Sequence, residues 1–338
     1  MITISLCMIV KNEENLLKRC LDSIHDLMDE IIIVDTGSTD RTKEIAGQYT
    51  DKIYDFTWVY DFSAARNFSF SKATMEYIYA ADADEVLDEE NRKKFRQLKE
   101  AMLPEIELVQ MLYCNQLQYN TTYNYDEEYR PKLYKRLREF VWEEPVHESV
   151  RLTPVIYDSD IRILHMPENN HAGRDFDTFL RMWSRGQRMS KKLHNMYARE
   201  LFIAGENEDF LAAEPVFLET LKASDRGLSE VKEAACVVAR AARLRGDIAE
   251  FFKNALKDTA SEGCAEICCE LGQFYYDRKE YQEALIWYYN AAFETKSILN
   301  IHSSGDLPLK RLEELSTLLG QTEDAKHYHE LCEAWEAE

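Results

Sequence analysis

Positive charge is scarce in this sequence. Lys and Arg number 41 against 62 Asp and Glu, which gives a formal net charge of −21 at pH 7. No stretch forms the basic stripe that binds a phosphate backbone, and nucleic acid is therefore not expected as a partner. An anionic substrate can bind only where a metal ion or a few Arg and Lys side chains reverse the local potential.

Long apolar runs and paired cysteines are lacking as well. No window approaches 18 consecutive apolar residues, so no membrane span is predicted. The first residues, MITISLCMIV, have neither a basic region nor a small-residue cleavage site, and no signal peptide is predicted. The eight cysteines form no C-x-x-C pair, which favours reduced thiols and a cytoplasmic location.

The composition is otherwise that of an ordinary globular protein. Apolar residues make up 45% and charged residues 30% of the chain, so disorder is not expected. The 338 residues exceed what one small core organises. At roughly 150 residues per domain, the length predicts two domains.

Short β-rich runs alternate with amphipathic helical patterns near the N-terminus. The pattern predicts strands at 3–10, 30–35, 51–56 and 75–82, and helices at 14–24, 39–49, 62–73 and 88–103. Continuous apolar strands between amphipathic helices favour a mostly parallel α/β sheet with both faces covered. The pattern is β-rich again from about 105 to 165, and helical after about 175.

The stretch YAADADEVLDEEN, residues 79–91, concentrates carboxylates directly after a predicted strand. Asp88 is expected to cap the following helix, with two glutamates in its first turn. Asp82 and Asp84 precede the helix and are not explained in this way. Alternate carboxylates at a strand end suit Mg²⁺ or Mn²⁺, although a D-x-D pair alone is a weak motif. Ligands of open α/β sheets bind at this edge.

Three more polar motifs accompany the D-x-D pair, and their order is specific. CMIVKNEE closes the first strand, VDTGSTDRT follows the second, and DFSAARNFS opens a helix. Together the motifs resemble glycosyltransferase family 2, inverting enzymes of the GT-A fold that use nucleotide-diphosphate sugars. The resemblance covers about residues 1–170.

The resemblance implies roles for individual residues. The residues expected to bind the nucleotide sugar are Val10, Asn12, Glu13, Asp35, Arg66, Asn67, Asp82 and Lys132. The residues expected to hold the metal are Asp84, Asp82 and His165, the last at a strand end where a structural role is the alternative. Lys11 and Thr36 depart from the family pattern, Thr36 at a position that often reads the base. UDP is the expected nucleotide.

The segments RPKLYKR and WEEPVHES resemble two further family motifs, with Glu144 in place of a glycine. His147 and Glu148 would line the acceptor side. Glu148 is the expected catalytic base, and His147 and Glu144 are the alternatives. A purely orienting role of Glu148 toward His147 is also left open.

The C-terminal half carries a tetratricopeptide-like pattern in ELGQFYYDRKEYQEALIWYYNAA. The matching positions are Leu271, Gly272, Tyr275, Ala284, Tyr288 and Ala291. Weaker copies predict three or four degenerate helix pairs in all. Stacked helix pairs of this kind often bind proteins or peptides. An equally weighted alternative is that the helices only support the first domain or form a homodimer contact.

The layout predicts a GT-A domain at 1–170 and a helical domain at 171–338. It resembles the branch that contains the peptide S-glycosyltransferases of bacteriocins. The expected function is Mn²⁺- or Mg²⁺-dependent, inverting transfer of a sugar from a UDP-sugar to a peptide or protein. The alternatives are a cell-envelope acceptor, a non-catalytic scaffold, and a nucleotidyltransferase. The last expects a glycine-rich loop near the N-terminus, and CMIVKNEE has no glycine.

Overall fold

The computed structural model describes residues 1–114, 127–168, 172–259 and 263–336. The chain divides into two compact units, Met1–Asn170 and His171–Glu338. Each unit has buried apolar clusters of its own. Within the described ranges, no helix combines the length and the apolar composition that a membrane crossing needs.

The first unit is built on one large mixed sheet. Its strands are β1 (Ile4–Val10), β2 (Glu30–Asp35), β3 (Ile53–Asp55), β4 (Tyr77–Ala81), β5 (Glu85–Val86), β6 (Leu108–Cys114), β7 (Glu128–Lys135) and β10 (Ile156–His165). The spatial order is β3-β2-β1-β4-β7-β6-β10-β5. A separate pair is formed by β8 (Trp142–Glu143) and β9 (Ser149–Val150).

Most strands of the large sheet run in one direction. β1 pairs in parallel with β2 and β4, and β6 pairs in parallel with β10. β7 is antiparallel to both β4 and β6, so these two strands share a direction. The carboxyl ends of β1, β2, β4 and β10 therefore lie along the same edge. The strand order reverses between β1 and β4, which is where open sheets bind their ligands.

Helices cover both faces of the sheet, as the continuous apolar strands predict. They are α1 (Leu17–Ile24), α2 (Thr42–Ala46), α3 (Phe62–Phe70) and α4 (Glu89–Ala101). Leu6 and Met8 face the cluster that includes α1 and α4, whereas Cys7 faces the cluster that includes α3. This alternation follows from the two-residue period of a strand. The predicted α/β sheet followed by helices is confirmed.

Asp88 caps α4 as predicted. Its side chain accepts a hydrogen bond from the backbone N–H of Asn91 at 2.9 Å. The predicted helices are longer than the observed ones at their ends: α1 begins at Leu17 and α2 spans only Thr42–Ala46. The short strand β5 was not predicted, because two residues carry no periodicity.

The second unit is helical throughout its described part. Its helices are α5 (Ala172–Ser184), α6 (Lys191–Ala204), α7 (Asn207–Lys222), α8 (Leu228–Arg245), α9 (Ile248–Thr259), α10 (Ala265–Asp277), α11 (Tyr281–Tyr289), α12 (Asp306–Leu318) and α13 (Thr322–Glu333). Two to six residues separate the helices from α5 to α9, and three residues join α10 to α11 and α12 to α13, which is typical of stacked antiparallel pairs. The connection from α11 to α12 is longer and includes a π-helical turn at Asn290–Glu294 and a 3-10 turn at Ile301–Ser304.

The helix pair α10 and α11 carries the tetratricopeptide-like pattern. Leu271, Ala284 and Tyr288 are buried, as that pattern requires. A Cβ atom at Gly272 would lie 2.8 Å from the ring of Tyr288. The absence of a side chain at Gly272 therefore allows the ring to pack directly on the backbone of α10.

Gly272→Ala is expected to destabilise the second unit by about 1–3 kcal/mol, because the added methyl group overpacks the contact with Tyr288. The measurement is chemical denaturation followed by circular dichroism. Glu283→Ala, at an exposed position of α11, is the control and should change stability by no more than about 0.5 kcal/mol. Equal stability of Gly272→Ala and the unmodified chain would contradict the close contact.

Candidate active site

Polar side chains from distant parts of the first unit gather at the carboxyl edge of its sheet. Asp35 ends β2, Asp82 and Asp84 follow β4, and His165 ends β10. The parallel register places Asp35 directly beside Val10 at the end of β1. The sheet thus brings together residues that the sequence motifs predict for one site.

Arg66 bridges two carboxylates of this site. Its Nη2 lies 3.0 Å from Oδ1 of Asp82, and its Nε lies 2.5 Å from Oε1 of Glu148. Arg66 comes from α3, and only 14% of its side chain is exposed. The guanidinium also lies 5.2 Å from the ring centroid of Trp142. One cation therefore links the D-x-D motif to the V-H-E motif.

The charge of the bridge controls the protonation of Asp82. Desolvation would raise the pKa of the Asp82 carboxyl, but the positive charge of Arg66, supported by Lys132, holds this pKa well below its usual range. Desolvation would also lower the pKa of Arg66, and the two carboxylates more than offset it. Asp82 is therefore a carboxylate at neutral pH.

Asn67, the neighbour of Arg66, uses its side-chain amide to bind backbone. Its Nδ2 donates to the carbonyl oxygen of Trp142 at 2.9 Å, and the N–H of Trp142 donates to its Oδ1 at 2.8 Å. These two bonds fasten β8 to α3 and so position the segment that carries Glu148. The role of Asn67 in binding the nucleotide sugar stays a prediction.

Asp84 and His165 form the second half of the site. Nε2 of His165 lies 3.1 Å from Oδ2 of Asp84, and the N–H of Met166 donates to the backbone carbonyl of Asp84 at 2.9 Å. β5 pairs with the end of β10 and holds this geometry, with Glu85 opposite His165.

The second oxygen of Asp84, Oδ1, is buried and has no hydrogen-bond partner among the described residues. A buried carboxylate oxygen without a donor is costly unless a ligand satisfies it. Carboxylate oxygens and an imidazole nitrogen are suitable ligands for Mg²⁺ or Mn²⁺. Asp84 and His165 therefore fit two ligand positions of such an ion, whereas the ligand atoms of the predicted set Asp82, Asp84 and His165 do not all lie within 4.8 Å of one another.

Lys132 forms a buried ion pair with Glu85. Only 7% of the Lys132 side chain and 3% of the Glu85 side chain are exposed. Nζ also lies 3.4 Å from the carbonyl oxygen of Ala80. Burial raises the pKa of Glu85 to about 7, against the opposing effect of the ammonium group. Direct binding of the nucleotide sugar by Lys132 stays a prediction.

The loops after β1 and β2 are fastened to each other. Asn12, with φ of +56°, accepts a hydrogen bond on Oδ1 from the N–H of Thr39 at 2.8 Å, and its own N–H donates to Ser38 at 2.9 Å. The N–H of Glu13 donates to the hydroxyl of Thr42 at 2.7 Å. The side chain of Asn12 thus shapes the loop, which a sequence motif alone does not reveal.

The two carboxylate oxygens of Asp35 differ in their hydrogen bonding. Oδ1 accepts from the N–H groups of Gly37 and Ser38, both at 2.9 Å. Oδ2 is buried and has no hydrogen-bond partner within the described ranges. A hydroxyl or N–H group of a ligand would satisfy this atom.

The V-H-E segment has an unusual backbone. Glu144, in the position of the family glycine, has φ of +72°, and His147 has φ of +50°. Left-handed backbone favours glycine, so the side chain at Glu144 is accommodated at a cost of about 1–2 kcal/mol. The carbonyl oxygen of Pro145 accepts from the N–H of Phe62, which ties this segment to the start of α3.

The comparison with protein families decides the class of this unit. Residues 5–152 match the model of glycosyl transferase family 2. This segment is a glycosyl transferase family 2 domain. The family 2 match includes the predicted motifs except His165, and the predicted family is confirmed.

Curated relatives of the chain match over short stretches. A TPR repeat-containing protein of Synechococcus elongatus is 51% identical over 87 residues, 26% of this chain and 22% of that protein. Glycosyltransferase SunS of Bacillus phage SPbeta is 43% identical over 94 residues, 27% of this chain and 22% of SunS. The lipopolysaccharide core biosynthesis glycosyltransferase LpsC of Rhizobium meliloti is 30% identical over 99 residues, 28% of this chain and 36% of LpsC. The chain thus spans about a fifth to a third of the length of these relatives.

Solved structures are similar at low identity. Glucosyl-3-phosphoglycerate synthase from Mycobacterium tuberculosis, in complex with Mg²⁺ and UDP, is 16% identical with a TM-score of 0.40. That match covers 56% of this chain and 81% of the synthase.

Lys132→Met is expected to destabilise the family 2 domain by about 3–5 kcal/mol, because it leaves Glu85 buried without its cation. Adding Glu85→Gln should recover part of this loss, since the amide is neutral without a cation, whereas Glu85 must first take up a proton. Urea denaturation measures both effects. Lys93→Met, which replaces an exposed lysine of α4, is the control. Equal stability of the single and double variants would contradict a coupled buried pair.

Proposed function

We propose that the chain is an inverting glycosyltransferase that transfers a sugar from a UDP-sugar to an acceptor with the help of Mg²⁺ or Mn²⁺. One observation carries this proposal. A family 2 domain holds the Arg66 bridge beside the Asp84–His165 pair at the ligand-binding edge of its sheet. A scaffold without catalysis has no need for two such polar groups at one edge of the sheet.

The nucleotide of the donor is proposed to bind at the hydrogen-bonded loops after β1 and β2. The free oxygen of Asp35 accepts a hydrogen bond from the base or ribose, and Asn12 and Glu13 hold the loop around them. Arg66 supplies positive charge for the diphosphate, and Arg130, stacked 4.0 Å from the ring centroid of Tyr113, is a second candidate.

Asp84, Asp82 and His165 would hold the divalent cation. When bound, the cation offsets the negative charge that develops on the leaving diphosphate. Asp82 stays ionised for this role because of Arg66, and Asp84 contributes its unpartnered oxygen.

Inversion requires a base on the side of the sugar opposite the diphosphate. We assign this base to Glu148, with His147 as the alternative. The carboxylate takes the proton of the acceptor hydroxyl or thiol, whose oxygen or sulfur attacks the anomeric carbon. The bond from that carbon to the phosphate oxygen breaks, and its electron pair leaves with the diphosphate. Since Glu148 is paired with Arg66 at 2.5 Å, a diphosphate that competes for Arg66 would release the carboxylate for this step.

The acceptor is assigned to a peptide or protein that uses the helical unit. The paired helices α10 and α11, with their buried tetratricopeptide-like positions, support this choice. The match to LpsC, whose name places it in lipopolysaccharide core biosynthesis, favours a cell-envelope acceptor as the second candidate. The cytoplasmic location and the homodimer stay predictions.

UDP with Mn²⁺ is expected to raise the melting temperature of the chain, because a ligand of the folded state stabilises it by mass action. Asp84→Ala should remain folded, lose the metal-dependent part of the shift, and release no UDP from UDP-sugars. Asp51→Ala, an exposed residue before β3, is the matched control. Unchanged UDP release in EDTA would refute the metal role. The absence of a shift with any sugar nucleotide would favour the scaffold.

Glu148→Gln is expected to lower the rate of transfer by about 10²–10⁴-fold, because the amide cannot take a proton. The KM for the UDP-sugar should change little, since the amide oxygen can still accept from Arg66. Steady-state kinetics at saturating donor separates the two quantities. His147→Gln is measured in parallel. Near-native turnover of Glu148→Gln with loss in His147→Gln would transfer the role of base to His147.

A further inference from the structure

A polar pocket lies in the helical unit, among the first helices of the pairs α8–α9, α10–α11 and α12–α13. Its volume is about 200 Å³, and most of its wall comes from α8, α10 and α12. The charged side chains of the wall are Arg240, Arg243, Arg311, Glu266 and Glu270. Three arginines thus face one small space.

Two of these arginines are hydrogen-bonded within the protein. Nε of Arg243 lies 2.6 Å from Oε2 of Glu270. Nη1 of Arg311 lies 2.7 Å from a carboxylate oxygen of Glu314, and its Nη2 donates to Oε1 of Gln273 at 3.2 Å. These contacts hold both guanidinium groups in place.

Arg240 differs because aromatic rings, and no hydrogen bonds, position its guanidinium group. The guanidinium carbon lies 4.1 Å from the ring centroid of Phe210 and 5.7 Å from that of Phe202. Nε lies 3.7 Å from Oε1 of Glu270, which is an ion-pair distance but too long for a hydrogen bond. No hydrogen bond joins the guanidinium to any residue that the structure describes.

The terminal nitrogens of Arg240 are within reach of a ligand. Nε is closed off from solvent, whereas Nη1 and Nη2 are accessible, and 25% of the side chain is exposed. A guanidinium group presents its N–H donors in a rigid, planar fork. Donors in a partly buried wall are costly until a ligand or water supplies acceptor oxygens.

The two carboxylates of the wall leave these donors unsatisfied. Both oxygens of Glu266 accept hydrogen bonds from the backbone N–H groups of residues 298–300, at 2.8–3.1 Å. Glu270 lies between Arg240 and Arg243, so one carboxylate serves two guanidinium groups. The wall therefore lacks an acceptor for the Nη groups of Arg240.

Two further carboxylates lie outside the wall. Asp277 is near Arg243 and Glu314 is paired with Arg311, and their side chains are 49% and 41% exposed, so water screens their charges. With them, four carboxylates accompany three arginines, and the pocket has no excess charge for a multiply charged anion such as a diphosphate. The Nη groups of Arg240 match one carboxylate, whose two oxygens accept parallel hydrogen bonds.

The apolar part of the wall suits a short aliphatic stem. Phe202, Tyr288 and Leu307 supply carbon atoms to it. The volume of about 200 Å³ is below the roughly 300–1,000 Å³ of pockets for drug-sized ligands. It matches one acidic side chain and is too small for a nucleotide sugar. Stacks of helix pairs form extended surfaces of the kind that bind polypeptides.

We propose that this pocket binds the side-chain carboxylate of an acidic residue in a polypeptide partner, with the two Nη groups of Arg240 as donors. The choice of a polypeptide rests on the peptide acceptor of the proposed function, whereas the carboxylate follows from Arg240 itself. Phe210 is a positioning residue that holds the guanidinium group.

Saturation-transfer NMR of the full chain, without a nucleotide sugar, tests this proposal with two capped pentapeptides, N-acetyl-AAEAA-amide and N-acetyl-AAQAA-amide. The glutamate peptide is expected to bind with a dissociation constant on the order of 1 mM. The glutamine peptide should bind at least about threefold more weakly, because its amide is uncharged and one of its two polar atoms is a donor. Arg240→Met keeps an unbranched side chain beside Phe210 and removes the N–H groups, so it should weaken binding of the glutamate peptide by about tenfold.

Arg185→Met is the matched control, because it removes the same charge from an exposed position after α5. It should bind the glutamate peptide as the unmodified chain does. The proposal is overturned if the glutamate peptide does not bind, if the glutamine peptide binds equally well, or if Arg240→Met binds as tightly as Arg185→Met. Sodium propionate that binds as tightly as the glutamate peptide would overturn the polypeptide partner.

Arg240→Lys decides the test if Arg240→Met does not fold. It keeps the positive charge but replaces the planar fork by a single ammonium group, and it should weaken binding of the glutamate peptide by about threefold or more. Because no UDP-sugar is present in these experiments, a loss of peptide binding refutes this inference alone. Release of UDP, measured separately, tests the proposed transfer.

Discussion

The bridge that Arg66 forms between Asp82 and Glu148 is the interaction on which the candidate active site depends. It joins two carboxylates that lie 66 positions apart in the sequence and that would repel each other without a cation between them. Removing the cation is costly for Glu148, because only 11% of its side chain is exposed and its charge would stay desolvated. The neighbouring Asn67 fastens the same helix to the backbone of Trp142. Helix α3 therefore sets both the charge and the position of the V-H-E segment.

Much of the fold follows from local chemistry that the sequence displays. The strands β1, β2 and β4 are continuous apolar runs, and their burial on both faces of a parallel sheet explains why the prediction was correct. Asp88 was predictable as a helix cap since capping needs only a short polar side chain before the helix. The strand β5 was not, because its pairing with the end of β10 depends on a contact 80 residues away.

In the candidate site too, the features set by local sequence were predictable and those set by distant contacts were not. Motif order predicts Asp35, Arg66, Asp82 and Asp84 as site residues, because each lies at or just after the end of a strand or on the helix that follows one. The hydrogen-bond partners were not predictable: both the bidentate contact of Asn67 with Trp142 and the ion pair of Lys132 with Glu85 depend on the register of distant strands. Residue type and spacing do not predict which of several carboxylates pairs with a buried lysine or arginine.

The cross-linked loops after β1 and β2 have a thermodynamic consequence. The side chain of Asn12 binds the backbone after β2, and Glu14 accepts from the N–H of Arg41 while its own N–H donates to Asp40. The chain therefore pays the conformational entropy of these loops during folding rather than when a ligand arrives. A ligand that binds between these loops would therefore lose little free energy to ordering them.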